Sequence, residues 1–223
     1  MTEHRPDPGC QVCLRPQTLP FMSVEGRVYR RCPRCEATLL HPDFYLDEAQ
    51  ERAVYALHRN EVADPGYRRF LSRLADPLTA RLAPASGGLD FGCGPGPALA
   101  RMLEEQGHDM ALYDPAFFPD TSPLQETFDF ITCTEVVEHL HSAYAVFKQL
   151  VRRLRPDGWL AVMTCFQTED DRFADWYYRR DPTHVVFYRE STMNWLGDHF
   201  GLSVDIPVKD VVLFRKLSCK VWQ

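Results

Sequence analysis

Leu89-Asp90-Phe91-Gly92-Cys93-Gly94-Pro95-Gly96-Pro97-Ala98-Leu99 decides the fold of this 223-residue chain. The stretch opens with two apolar residues about an acid, turns on Gly92, Gly94 and Gly96, and runs into helix-forming sequence over 98–106, which Gly107 stops. Strand, glycine turn and helix in that order make a nucleotide-binding corner. Glycines lack a Cβ and let a ligand approach the backbone. The first N–H groups of the helix are free to meet that ligand. The dinucleotide signature Gly-x-Gly-x-x-Gly/Ala is excluded because its sixth position here is Pro97. A phosphate-binding P-loop is excluded by the absence of Gly-Lys-Ser/Thr.

A second signal follows twenty residues after Gly94. The apolar run 110–113 reads as a short strand and ends in Asp114-Pro115. An acid at the end of the next strand is the ribose-hydroxyl ligand of a Rossmann-like nucleoside site. Together, the order Asp-x-Gly-x-Gly-x-Gly from Asp90 to Gly96 and the acid at Asp114 resemble the class I S-adenosylmethionine (SAM) methyltransferases. Further along, Phe128–Thr134 reads as a buried parallel strand, apolar almost throughout. It runs into Glu135-Val136-Val137-Glu138-His139-Leu140, which is similar to a segment of the ubiquinone and sugar methyltransferase branches. Leu154-Arg155-Pro156-Asp157-Gly158-Trp159-Leu160 matches another segment of the family.

The resemblance runs from about Tyr67 to Phe214. It implies an α/β, Rossmann-like, mostly parallel sheet with an antiparallel C-terminal hairpin, expected at 202–206 and 208–214 about Pro207. It also implies SAM as cofactor, held by Asp90, Gly92, Gly94, Gly96, Asp114, Thr134 and Glu135. The chain departs from the family between Asp114 and Phe128. The family places a helix and a third strand there, and residues 116–127, with Pro119, Ser122 and Pro123, are too few to form both. That edge of the sheet is expected to be reduced.

Ahead of this region stand Cys10-x-x-Cys13 and Cys32-x-x-Cys35, separated by eighteen residues. Two such knuckles match the spacing of a four-thiolate zinc ribbon. Residues 18–22 and 27–30 are expected to pair as a hairpin around Glu25-Gly26. The segment is too short and polar to hold its own core, so a structural zinc on Cys10, Cys13, Cys32 and Cys35 would supply its folding energy. The expected units are a ribbon over 1–43 and a methyltransferase domain over 44–223 with a helical lead-in. That lead-in comprises a helix from Asp47 to about Arg59 and another over 67–82, kinked at Pro77. Arg68 or Arg69 is a candidate partner for the cofactor carboxylate, although either also suits a solvated helix face.

Hydrophobic residues make up 45% and charged residues 25%, as in soluble globular proteins. No apolar run approaches the roughly 20 residues that span a bilayer, and the first residues lack the apolar core of a secretory signal. A cytoplasmic protein without membrane contact is expected, with Cys93, Cys133, Cys165 and Cys219 as small buried hydrophobes. The net charge of −6 argues against a large nucleic-acid footprint.

The resemblance implies methyl transfer, which requires the acceptor's lone pair in line with the S–CH₃ bond and removal of the acceptor's proton. His139 and His184 are the candidate bases, with Asp181 to orient the second. The aromatic stretch 167–188 is expected to form a lid over a small-molecule acceptor, which would take the methyl on O, N or C. An RNA or protein substrate docked through the arginine-rich ribbon is the alternative, and a non-catalytic zinc-ribbon adaptor is the third.

Overall fold

The computed structural model describes residues 7–55 and 61–218. Its strands are β1 (Leu19–Val24), β2 (Arg27–Arg31), β3 (Thr38–Leu40), β4 (Gly87–Phe91), β5 (Asp109–Tyr113), β6 (Phe128–Thr134), β7 (Leu154–Met163), β8 (Val186–Phe187), β9 (Leu202–Val208) and β10 (Val211–Lys216). Its α-helices are α1 (Glu48–Tyr55), α2 (Pro65–Thr79), α3 (Ala98–Glu104), α4 (Ala143–Arg153) and α5 (Glu190–Phe200). The expected end of the first helix near Arg59, and Cys219, lie outside the described residues.

Six strands form the main sheet in the order β5-β4-β6-β7-β10-β9. Pairing is parallel from β5 through β7, and β10 runs antiparallel to both β7 and β9. Only a 3₁₀ turn, Ser122–Gln125, stands between β5 and β6, so β5 is the sheet edge and the family's third strand is absent, as its short allotment of residues dictates.

Both faces of the sheet are covered, so the apolar residues of its central strands are buried on either side. Successive side chains point to opposite faces. Phe130, Ala161, Met163, Val211 and Leu213 pack against Leu71, Leu74 and Leu78 of α2 and Leu99, Met102 and Leu103 of α3. Ile131, Leu160, Val162, Val212 and Phe214 face the other way, toward Phe147 and Leu150 of α4 and Met193 and Leu196 of α5.

Two boundaries differ from the sequence reading. Arg155-Pro156-Asp157-Gly158, which the sequence reads as a turn before a strand over 159–165, is an excursion within β7: Phe128 faces Leu154 while Phe130 already faces Trp159. The C-terminal hairpin turns at Lys209-Asp210, not at Pro207. Asp210 adopts φ 69° there, and its Oδ1 accepts a hydrogen bond from the Phe166 N–H at 2.8 Å. Pro207 lies inside edge strand β9, where a missing N–H is tolerated.

The second sheet has the order β1-β2-β3-β8. The hairpin expected at the ribbon is β1–β2, turning at Glu25 and Gly26, both with positive φ. The fourth strand comes from far along the chain, where Thr38 pairs with Phe187 and Leu39 with Val186. The stretch expected as a lid is therefore built into the ribbon. Phe173 packs edge-on against Phe21, Tyr29 and Phe187. Arg179 is only 2% exposed and reaches Glu25 at 3.1 Å and the Ala174 carbonyl at 3.1 Å. Phe173, Tyr178, Arg179 and Phe187 are buried against this neighbourhood, while residues 168–172 and Tyr177 are exposed.

Candidate active site

The carboxyl ends of β4, β5 and β6 open into a cavity of about 980 Å³, roofed by Glu51 and Tyr55 of α1 and Tyr67, Phe70 and Leu71 of α2. Its floor at one end is the glycine turn. Gly92 and Gly94 have φ of 76° and 66°, and a Cβ on Gly92 would stand 2.4 Å from Val136 Cγ2. The N–H groups of Gly92 and Cys93 donate to the Tyr113 carbonyl, tying the turn to the end of β5. Gly92 and Gly94 line the cavity; Gly96 does not, and its carbonyl accepts from the Ala98 N–H at the start of α3.

Asp114 is clamped by backbone donors. Its Oδ1 accepts from the Ala116 and Phe117 N–H groups at 2.8 and 3.0 Å, and its Oδ2 from the Gly94 N–H at 3.0 Å. The carboxylate is thus fixed at the cavity wall, between Tyr113 and Phe117. Asp90 lies deeper, 4% exposed, and accepts from the Thr132 hydroxyl at 2.8 Å. Burial pushes its carboxyl up to about 6, with the Thr132 hydroxyl and the Ala100 N–H holding it back. Thr134 and Glu135 line the middle of the cavity. Glu135 has φ 53°, and burial together with the Glu138 charge pushes its carboxyl up to about 9.

Neither Arg68 nor Arg69 lines the cavity. Arg68 pairs with Glu105 on the outer surface, and Arg69 is exposed.

At the other end stand Tyr55, His139, Tyr177, Tyr178, Asp181 and His184. The two histidines, 45 residues apart in sequence, meet with ring centroids 4.7 Å apart. A 3₁₀ turn, Val137–His139, carries the first; the segment running into β8 carries the second. His139 Nδ1 lies 3.2 Å from the Thr183 carbonyl, and His184 Nδ1 lies 2.7 Å from the Tyr178 carbonyl. A carbonyl only accepts, so each Nδ1 carries the proton, and each ring in its neutral form has its lone pair on Nε2. Burial holds His184 below the ordinary histidine range, offset in part by Glu138.

The orienting group for His184 is thus a carbonyl and not Asp181. One Asp181 oxygen is taken by the Thr183 N–H and hydroxyl, and the other stands 3.9 Å from His184 Nε2. Trp176 turns away from the cavity onto Tyr178 and Phe187, while its neighbour Tyr177 lines it.

Sequence reasoning missed Glu138 as a site residue. It is fully buried behind the histidines, and its Oε1 accepts from the Tyr178 hydroxyl at 2.6 Å. That hydroxyl also reaches Glu135 at 3.2 Å. The signal was in the segment from Glu135 to Leu140 quoted above, which contains Glu138 directly before His139.

Away from the cavity, Cys10, Cys13, Cys32 and Cys35 converge, all buried. Cys10 and Cys35 sulfurs are 3.6 Å apart and Cys13 and Cys32 sulfurs 3.4 Å apart. A tetrahedron of about 2.3 Å Zn–S bonds has sulfurs about 3.8 Å apart, so this donor set fits zinc with little adjustment. Leu14 and Glu36, each just after the second cysteine of its knuckle, both take left-handed φ near 60° to close it.

A family model described as a methyltransferase domain matches residues 61–205. The chain belongs to this methyltransferase family. Among solved structures, an O-methyltransferase family protein from Burkholderia thailandensis superposes with TM-score 0.52 at 13% identity, over 69% of this chain and 57% of that one. CalO1, a methyltransferase in calicheamicin biosynthesis with SAH bound, gives 0.48 at 14% over 77% and 59%. A 1,6-didemethyltoxoflavin N1-methyltransferase from Burkholderia thailandensis, with its substrate and S-adenosylhomocysteine bound, gives 0.47 at 17% over 90% and 100%. The chain spans under three fifths of the first two relatives. No curated protein matches it in sequence. No helix among the described residues is long and apolar enough to cross a membrane.

Proposed function

We propose that this chain is a SAM-dependent methyltransferase moving a methyl group to an O, N or C atom of a small-molecule acceptor. The observation that carries the reading is the single cavity that joins the clamped Asp114 and the open glycine turn to His139 and His184. Its volume sits at the upper end of the roughly 300–1,000 Å³ usual for ligand sites, which suits a nucleoside donor and a small acceptor held together.

In this reading Asp114 bonds a ribose hydroxyl through the lone pair that remains on Oδ2. Gly92 and Gly94 admit the amino-acid end of the cofactor, Gly96 shapes the entry to α3, and Thr134 and Glu135 flank the sulfonium with Asp90 behind. SAM supplies a methyl already activated by positive sulfur, so the chain's main work is to align the acceptor. His139 and His184 are the catalytic groups, turning Nε2 lone pairs on the acceptor.

Docking of RNA through the ribbon is the weaker reading. Arg30 is held by Asp7 and Thr18, and Arg31 by Asp170 and the Phe21 ring, so neither is presented to phosphates. A zinc on the four cysteines is structural in this proposal: four thiolates close its coordination.

Calorimetry tests the cofactor half. Asp114→Ala removes a charge-assisted bond of about 1.5–3 kcal/mol, so S-adenosylhomocysteine should bind roughly 10- to 100-fold more weakly. Equal affinity in the variant, or none in the wild type, overturns the assignment. His184→Ala should cut turnover with cofactor affinity retained.

A further inference from the structure

We propose that Glu138, His139 and His184 bind a divalent cation at the acceptor end of the cavity. One ligand atom of each lies within 4.8 Å of the other two. Glu138 Oε1 and His139 Nε2 are already 3.9 Å apart, and small side-chain rotations close the set. The orientation of the rings is the second observation. Each histidine gives its Nδ1–H to a backbone carbonyl, that of Thr183 or Tyr178. A metal-bound histidine is fixed the same way, through the nitrogen that does not ligate.

The third observation is the carboxylate. Glu138 is 0% exposed, its Oε1 is met by the Tyr178 hydroxyl, and its Oε2 has no hydrogen-bond partner among the described residues. A buried carboxylate with one oxygen unpartnered is costly, and a cation held by the carboxylate offsets that cost. No lysine or arginine stands among the described residues lining this cavity, whereas Glu51, Glu135 and Asp181 do. The surroundings therefore favour a cation over a further anion.

Two imidazoles and one carboxylate suit first-row divalent ions of intermediate softness. Three protein ligands leave positions open, in contrast to the closed four-cysteine cluster. His139 and His184 line the cavity, so the open positions face the acceptor. This points to a hydroxyl-bearing acceptor.

The step rests on the methyl-transfer reading, although the binding of the cation does not. The hydroxyl oxygen coordinates the cation, which withdraws electron density and lowers its pKa. Its proton passes to water at the cavity mouth. A lone pair of the resulting alkoxide forms the O–CH₃ bond as the S–CH₃ bond breaks, its electron pair staying on sulfur. Sulfonium and alkoxide are consumed together, giving a neutral ether and neutral S-adenosylhomocysteine. With the cation bound, the Nε2 lone pairs of both histidines are its ligands; in the cation-free chain the same lone pairs face the acceptor as the bases described above.

The test uses the full chain supplied with one equivalent of zinc, which the four cysteines take. Titration with Mn²⁺, followed by loss of the free-ion paramagnetic resonance signal, and with Co²⁺, followed by its visible absorption, should each give one further site per chain. Glu138→Gln keeps the volume and still accepts from Tyr178; it should weaken Mn²⁺ binding at least tenfold. His139→Gln, at the partly exposed side of the cluster, should do the same if Glu138→Gln fails to fold. Absence of a saturable site for both ions in the wild type overturns the inference, as does unchanged affinity in both variants. S-adenosylhomocysteine calorimetry run in parallel separates the two proposals. Cofactor binding without ion uptake removes the cation site and leaves methyl transfer; ion uptake without cofactor binding does the reverse.

Discussion

Asp90 ties the cofactor end of the cavity to stability through pH. Its native carboxyl is pushed up to about 6 by burial, against about 3.9 in an unfolded chain. Between those values the native state holds a proton that the unfolded state has released, so this group's contribution falls as pH rises and is fully lost above about 6. Two pKa units correspond to about 3 kcal/mol. Asp90→Asn keeps an acceptor for the Thr132 hydroxyl and removes the titration. Urea unfolding should show the variant gaining up to about 3 kcal/mol on the wild type between pH 4 and pH 7. A pH-independent difference would mean that Asp90 is ionised at no cost. The glycines, Asp90 and Asp114 were legible in the sequence because their geometry is set by local spacing. Glu138 was not, because its meaning depends on His184, which reaches it only through the tertiary fold.

At the scale of elements, β4 shows how closely neighbouring strands of the sheet are fitted, since Gly88 lies opposite Phe130 of β6. A Cβ on Gly88 would stand 2.2 Å from the ring of Phe130, which is itself fully buried. Gly88→Ala should therefore cost about 1–3 kcal/mol by overpacking, read as a lower urea midpoint with unchanged slope. A raised midpoint would show that Phe130 has room to move. The parallel strands and the missing third strand were legible from apolar runs and from the residues left between Asp114 and Phe128. β8 was not: two residues carry no periodicity, and Val186–Phe187 becomes a strand only because β3 offers an edge to it. The turn at Asp210 was missed for a related reason, since proline is the stronger turn signal and here it sits in an edge strand.

At the scale of the molecule, the ribbon is a buttress for the histidine end of the cavity, the acceptor end in the function proposed above. Gln11, between the first two cysteines, takes the Tyr144 N–H on its carbonyl at 2.8 Å and gives its side-chain amide to the Leu140 carbonyl. Val185 accepts from the Leu40 N–H of β3 and donates to the Glu138 carbonyl, both at 2.9 Å. The 3₁₀ turn that carries Glu138 and His139 is thus held from both sides by chain that the four cysteines organise. Zinc binding in such knuckles is worth about 10–16 kcal/mol, comparable to the whole stability of a domain, so its loss should release these contacts. The glycine turn and Asp114 stand at the opposite end of the cavity and, among the described residues, make no such bonds to the ribbon. Elemental analysis should find one zinc per chain, and Cys32→Ser should lose it. That variant should fall at least tenfold in turnover while S-adenosylhomocysteine affinity stays within about threefold. Turnover that survives without zinc would sink the buttress, and cofactor affinity lost along with turnover would show that the ribbon supports the whole sheet and not the acceptor end alone.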